Sequence, residues 1–178
     1  CISNNKIYVT NGPANNVSVL DFNSLNESKT INVGIYPQEI LSYNNKVFVC
    51  NTYSFGGPGD STVFVIDALT DVVVDTIVLQ KSPSSVALSR DNKLLIGCFN
   101  ADGKIFKVDP ITFVKLDSFS VAGGFEKDIS IDKNSDDIYF INYLNEVAKL
   151  NLVTRHSETV IQNPNPSVNK FYGYIFDS

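Results

Sequence analysis

Glu126, Lys127 and Asp128 place two carboxylates two residues apart with an ammonium between them. On a strand, residues i and i+2 share a face, so Glu126 and Asp128 are expected to point together. A carboxylate pair of that kind binds a cation or trades protons as general acid and base. The plainer alternative is a solvated rim in which Lys127 balances the charge. The longest loop insertion, Tyr53-Ser54-Phe55-Gly56-Gly57-Pro58-Gly59-Asp60-Ser61, offers different chemistry. Tyr53 and Phe55 present flat faces on which a sugar ring or a peptide can stack. No Gly-Lys-Ser/Thr follows, so it is not a phosphate loop. Tyr53, Phe55, Glu126, Lys127 and Asp128 are therefore the candidate ligand-binding residues, and no catalytic residue is assigned.

Three further constellations fail their chemical tests. Asp132-Lys133-Asn134-Ser135-Asp136-Asp137 opens like a calcium loop. Asp137 stands where a glycine is required and Tyr143 where a bidentate glutamate belongs, so a turn is expected. His156 is the only histidine. It falls in an outer turn, a poor place for a Ser–His–Asp arrangement, which needs a cleft and a nucleophile. One histidine and the unclustered Cys1, Cys50 and Cys98 exclude the usual zinc and copper ligand sets. No metal and no cofactor is expected. The odd cysteine count gives no disulfide framework, and buried small apolar residues are the simple reading.

The elements that position these residues repeat. Ile7-Tyr8-Val9-Thr10-Asn11, a polar loop and Val17-Ser18-Val19-Leu20-Asp21 form one unit. The pattern returns at Val47-Phe48-Val49 with Val63–Asp67, in scrambled form up to Asp109, and at Ile138-Tyr139-Phe140-Ile141-Asn142 with a strand ending at Asn151. The strand-ending positions 21, 67, 109 and 151 lie 46, 42 and 42 residues apart. A period of about 40–45 residues with four short strands per unit is the signature of propeller blades. Runs of apolar and β-branched residues bounded by Asn, Asp, Gly or Pro are strands. Continuous runs such as Val72-Val73-Val74 and Leu94-Leu95-Ile96 predict strands buried on both faces. No stretch carries helical spacing, so almost no helix is expected. The fold class is all-β, a β-propeller region over residues 1–178 with about four four-stranded antiparallel blades. The approximate repeats are 4–43, 44–90, 91–132 and 133–178.

The Tyr8-Val9-Thr10-Asn11 block, followed by Val17–Asp21, resembles the YVTN-repeat β-propellers, the surface-layer-like family. Ile138–Asn142 and Phe171-Tyr172-Gly173 are similar to cell-surface propellers of Bacteroides-type bacteria. Departures are Phe48-Val49-Cys50-Asn51, the scrambled third copy and Asn151 in place of Asp. The resemblance implies a larger ring of about seven blades, a non-catalytic binding or scaffold role, and exposure at a cell surface or in a periplasm. It implies a protein or glycan partner, and a spacer role in a surface array is a further version. Related propellers include lactonases and quinoprotein-type dehydrogenase subunits, which would use axis-facing carboxylates such as Glu126 and Asp128. In the propeller fold, two classes of loop share the ligand face: 34–38, 80–84, 122–127 and 163–170, and 12–16, 53–61, 100–103 and 143–145.

Composition narrows the partners. The net charge is −5, from 19 acidic and 14 basic residues, which argues against nucleic acid because phosphate neutralisation needs clustered cations. No apolar run approaches the length of a membrane-spanning helix. The chain contains no methionine and is expected to be a processed or excised piece of a longer, exported protein. Cys1 is a candidate lipid-anchored cysteine. Ring closure would come from missing blades or from a homodimer.

Overall fold

The computed structural model describes residues 1–53 and 56–165. It is all-β, with four antiparallel sheets of four strands and one short 3-10 turn at Gly12–Ala14 among the described residues. The first sheet holds β1 (Ile2–Ser3), β2 (Lys6–Asn11), β3 (Asn16–Asp21) and β4 (Glu27–Asn32). The second holds β5 (Pro37–Tyr43), β6 (Lys46–Asn51), β7 (Thr62–Asp67) and β8 (Val72–Val78). The third holds β9 (Pro83–Leu88), β10 (Leu94–Cys98), β11 (Lys104–Val108) and β12 (Lys115–Ser120). The fourth holds β13 (Lys127–Ile131), β14 (Asp137–Ile141), β15 (Val147–Asn151) and β16 (Ser157–Ile161). Each sheet is an up-and-down meander in chain order, as in a propeller blade. The chain forms two compact units, Cys1–Ser84 and Ser85–Ser178, divided within β9.

One turn is built the same way in every blade. The residue that ends the third strand accepts two backbone N–H groups with its side-chain oxygen, an Asx turn. Asp21 Oδ1 takes Asn23 and Ser24, and Asp67 Oδ1 takes Leu69 and Thr70. Asp109 Oδ1 takes Ile111 and Thr112, and Asn151 Oδ1 takes Val153 and Thr154. The turn closes when the residue four positions on donates its N–H to the strand-end carbonyl. That residue is Leu25, Asp71, Phe113 or Arg155, with φ of 59, 56, 61 and 62°. A left-handed conformation costs an L-residue about 1–2 kcal/mol, and the Asx bonds offset it.

The same residues close a cross-strand pair. Lys46 Nζ meets Asp67 Oδ2 at 2.7 Å, and Lys93 Nζ meets Asp109 Oδ2 at 2.7 Å. The Lys46 hydrogen bond, with the Thr70 N–H behind it, pulls the Asp67 carboxyl down to about 2. Asp109 is held low in the same way, by Lys93 first. In the fourth blade Asp137 stands opposite Asn151 in register. Asn151 Nδ2 donates to Asp137 Oδ1 at 2.6 Å. An aspartate at 151 would face another carboxylate, so the departure from the repeat is a matched exchange.

Within each unit the two blades pack face to face. In the first, Tyr8, Val17, Val19 and Ile31 meet Val47, Val49, Ile66 and Ala68. Tyr8 is 1 % exposed, and its hydroxyl donates to Asp71 Oδ1 at 2.6 Å. Burial, then that bond, pushes the phenol well above its ordinary range. Lys6 Nζ reaches Asp71 Oδ2 at 2.6 Å rather than its strand partner Asp21, and Thr10 Oγ1 donates to Gln38 O. The alternating Tyr and Thr of the motif thus join one blade to the next. In the second unit Leu95, Ile105 and Phe119 meet Ile138, Phe140, Ala148 and Leu150, with Phe125 of the connecting loop in the same cluster. Arg155 spans that seam, with Nη1 at 2.7 Å and Nη2 at 3.0 Å from the two oxygens of Asp117.

Burial follows strand position more than local composition. Leu94-Leu95-Ile96 is wholly buried, as expected. Val72-Val73-Val74 is not, since Val72 and Val74 are each 50 % exposed. They lie on β8, the outermost strand of its blade, where one edge has no neighbouring strand. Asn4-Asn5 and Asn44-Asn45 take left-handed φ in two-residue hairpins, as Asn permits. Cys50 and Cys98 are buried and form no disulfide. Phe171-Tyr172-Gly173, part of the family resemblance, lies outside the described residues.

Two outcomes test the turn. Asn151→Asp lowers the melting temperature, and Asp137→Lys in the same chain restores it; additive effects in the double-mutant cycle would refute the matched exchange. Leu25→Gly and Phe113→Gly relieve the left-handed residue and raise stability by about 0.5–1 kcal/mol, read by urea unfolding.

Candidate functional site

The candidate residues fall into two loop clusters, one in each unit. In the first, Asp60 organises three loops. Its Oδ2 accepts the Ile35 N–H at 2.8 Å, and its Oδ1 accepts Ser61 N–H, Thr62 N–H and the Thr62 hydroxyl. Its backbone N–H donates to Thr52 O, and its carbonyl accepts Ser82 N–H. Gly34 fits only as glycine, because a Cβ there would lie 2.3 Å from Asp60 Oδ2 and 2.6 Å from Asn51 Nδ2. Tyr53 pairs with Gly59 in an isolated antiparallel bridge and stays partly exposed. The 53–61 insertion is thus pinned at its base by Asp60 and cross-linked above it. Phe55, the second aromatic expected here, lies outside the described residues.

In the second unit the loops at 100–103, 122–127 and 143–145 are tied together by backbone bonds. Asn100 and Phe125 exchange N–H···O bonds at 3.0 Å, and Tyr143 N–H donates to Gly123 O at 3.1 Å. Gly124 needs φ of 72°, and a Cβ would lie 2.4 Å from the Asn100 and Ala101 carbonyls. Phe125 is fully buried and stacks on Phe140 at 5.7 Å between centroids. It anchors the chain directly before Glu126-Lys127-Asp128, all three of intermediate exposure.

The shared face expected for Glu126 and Asp128 does not follow from the strand. Asp128 has a left-handed φ of 59°, and the register slips between Lys127 and Ser130. This is a β-bulge, and a bulge breaks the alternation on which the expectation rested. Burial raises the Asp128 carboxyl above its ordinary value, and Lys127 opposes the rise. The neighbouring Ile129 N–H donates to Ser85 Oγ at 3.3 Å, which joins the bulge to the preceding blade of the unit.

Tyr143 and Leu144, in a loop class expected on the ligand face, are 44 % and 57 % exposed. Tyr143 contacts Phe99 with centroids 5.4 Å apart. These two, with Asp60 and Arg155, are what the sequence reading passed over. Aromatic residues in a short loop were the available signal for Tyr143. Tyr53 belongs to one unit and Glu126, Lys127 and Asp128 to the other.

The remaining chemical candidates lie in turns. Asp132 Oδ1 accepts the Asn134 N–H and Oδ2 the Ser135 hydroxyl, so the calcium-like stretch is a turn. His156 is exposed on an outer turn, 3.7 Å from Glu158. Among the described residues, no three His, Cys, Asp or Glu side chains group closely enough to hold a metal ion. No helix there is long and apolar enough to cross a membrane.

No family model matches the sequence, and no curated protein matches it. Among solved structures the chain resembles Kuenenia stuttgartiensis hydrazine synthase, with a TM-score of 0.75 and 16% sequence identity. The match covers 88% of this chain and 46% of that one, so this chain spans under half the length of the structure it resembles. As 705 solved chains match, the likeness carries the β-propeller fold and no activity.

The bulge gives a pH-dependent outcome. With its folded carboxyl pKa raised, Asp128 disfavours folding once pH exceeds the ordinary value of 3.8. Asp128→Asn keeps a residue that tolerates left-handed φ and removes the charge. The variant melts higher than the parent at neutral pH, and the gap closes as pH falls below that value. An equal gap at both pH values in thermal melts would contradict the assignment.

Proposed function

We propose that this chain is part of a non-catalytic recognition scaffold, a YVTN-type surface-layer-like propeller whose rim loops bind a protein or glycan. One observation carries the reading. The Lys–Asp pairs that recur at Asp67 and Asp109 serve turns, and the ion pairs of Asp71 and Arg155 serve seams, while the rim loops differ and display aromatic residues. Loops on a rigid scaffold are where recognition is placed. Tyr53 in one unit and Tyr143 with Leu144 in the other are the contact residues, and Phe55 joins Tyr53 on the same insertion. Glu126 and Lys127 supply polar contacts at the second rim. The residue pattern supports export to a cell surface or periplasm. Further blades or a second copy would complete the ring.

One observation favours a second reading. Asp128 couples a left-handed backbone to a carboxyl of raised pKa, and that pairing is a mark of reactive sites. In this reading the propeller is a lactonase or quinoprotein-dehydrogenase-type subunit.

Glycan and peptide arrays probed with the chain, beside a lactone-hydrolysis panel, separate the two. The scaffold reading expects saturable array binding that Tyr143→Ala or Tyr53→Ala weakens about tenfold, a loss of about 1.4 kcal/mol, with the melting temperature unchanged. Lactone turnover abolished by Asp128→Asn would overturn it.

A further inference from the structure

We infer that the seam between the two blades of the second unit holds a binding site for an apolar α-amino acid in its zwitterionic form. The two units build the same seam from different residues. In the first, Tyr8 and Lys6 project from β2 and bond across the seam to Asp71 and the Ala68 carbonyl. By repeat register, Leu95 stands in the place of Tyr8, Lys107 in that of Val19, and Arg155 in that of Asp71. Leu95 has no hydroxyl to reach across, and Arg155 turns to Asp117 instead. Between the two blades lies a cavity of about 430 Å³, lined from one side by Ser89, Arg90 and Lys107 and from the other by Ile131, Ile138 and Leu152, within the usual range of roughly 300–1,000 Å³ for small-molecule sites.

Its lining fits one class of ligand. Ile131, Ile138 and Leu152 give an apolar wall. Charges of both signs stand around it. Lys107 is committed to Asp91 at 2.7 Å, and Asp137 to Asn151 at 2.6 Å. Arg90 and Asp136 face each other at 3.9 Å, beyond hydrogen-bond range, with side chains 50 % and 54 % exposed. A ligand with an adjacent carboxylate and ammonium bridges that gap. The carboxylate takes the planar guanidinium of Arg90, the ammonium takes Asp136, and the apolar side chain lies on Ile131, Ile138 and Leu152. A purely apolar ligand would leave the charged pair unused, and a singly charged one would leave half of it unmatched.

The test is calorimetric titration of the whole chain with leucine, isoleucine and phenylalanine, beside N-acetyl-leucine and leucine amide. Leucine binds saturably, and each blocked analogue binds about tenfold or more weakly, the cost of losing a charged hydrogen bond. Arg90→Gln abolishes the preference for leucine over its amide, and Asp136→Asn abolishes the preference over N-acetyl-leucine. Both side chains are half exposed, so folding is retained, and circular dichroism verifies it. Two results would overturn the site: no saturable binding of any of the three amino acids at millimolar concentration, or binding that both variants leave unchanged.

Discussion

The side-chain oxygen that ends the third strand of every blade is the constraint from which the rest follows. It sits at a point where the backbone must reverse and where two N–H groups would otherwise lose their partners. By accepting both, it fixes the turn and forces the fifth residue into the left-handed region. That residue is aimed off the blade's end and becomes the docking residue of the seam. Asp71 and Arg155 hold this position in the two units and both reach the preceding blade. A local turn rule thus sets the packing of whole sheets.

The chemistry at these positions changes while the geometry stays. A lysine–aspartate pair in two blades becomes an aspartate–asparagine pair in the fourth. Lys29 bonding to Asp71 O in the first unit becomes Asp117 bonding to Arg155 in the second, with the sign of the charge reversed. Either combination satisfies the same buried or half-buried groups, because what the fold needs is a donor opposite an acceptor rather than a particular residue. The surface ion pairs among these add little stability by themselves. Their value lies in register, since a one-residue slip would separate every partner.

The candidate site divides along the same line. Asp60 is one aspartate among many in the sequence, and nothing around it marks it out. Only folding brings Ile35, Thr52 and Ser82 to it from three loops. Glu126 and Asp128 were visible as a pair, but the alternation that would have aligned them fails at a bulge. A bulge depends on the partner strand's register, which is not encoded within the five residues concerned. Tyr53 and Tyr143 were accessible to a sequence reading as aromatic residues in loops, and Tyr143 could have been found by the same reasoning that found Tyr53.

Spacing and composition alone determined the all-β class, the four-strand repeat and the turn-forming Asn and Asp positions. Each is a local consequence of chain chemistry: periodicity, β-branching and side chains that mimic backbone acceptors. Tertiary structure alone decided that Val72 and Val74 lie exposed at a blade edge, that Tyr8 and Arg155 clasp neighbouring blades, and that a cavity opens in the seam of the second unit. These outcomes depend on which strand is outermost and which residues meet across some 40–60 positions of sequence. No window of the sequence contains both partners of such a contact, so their pairing is settled only when the sheets pack.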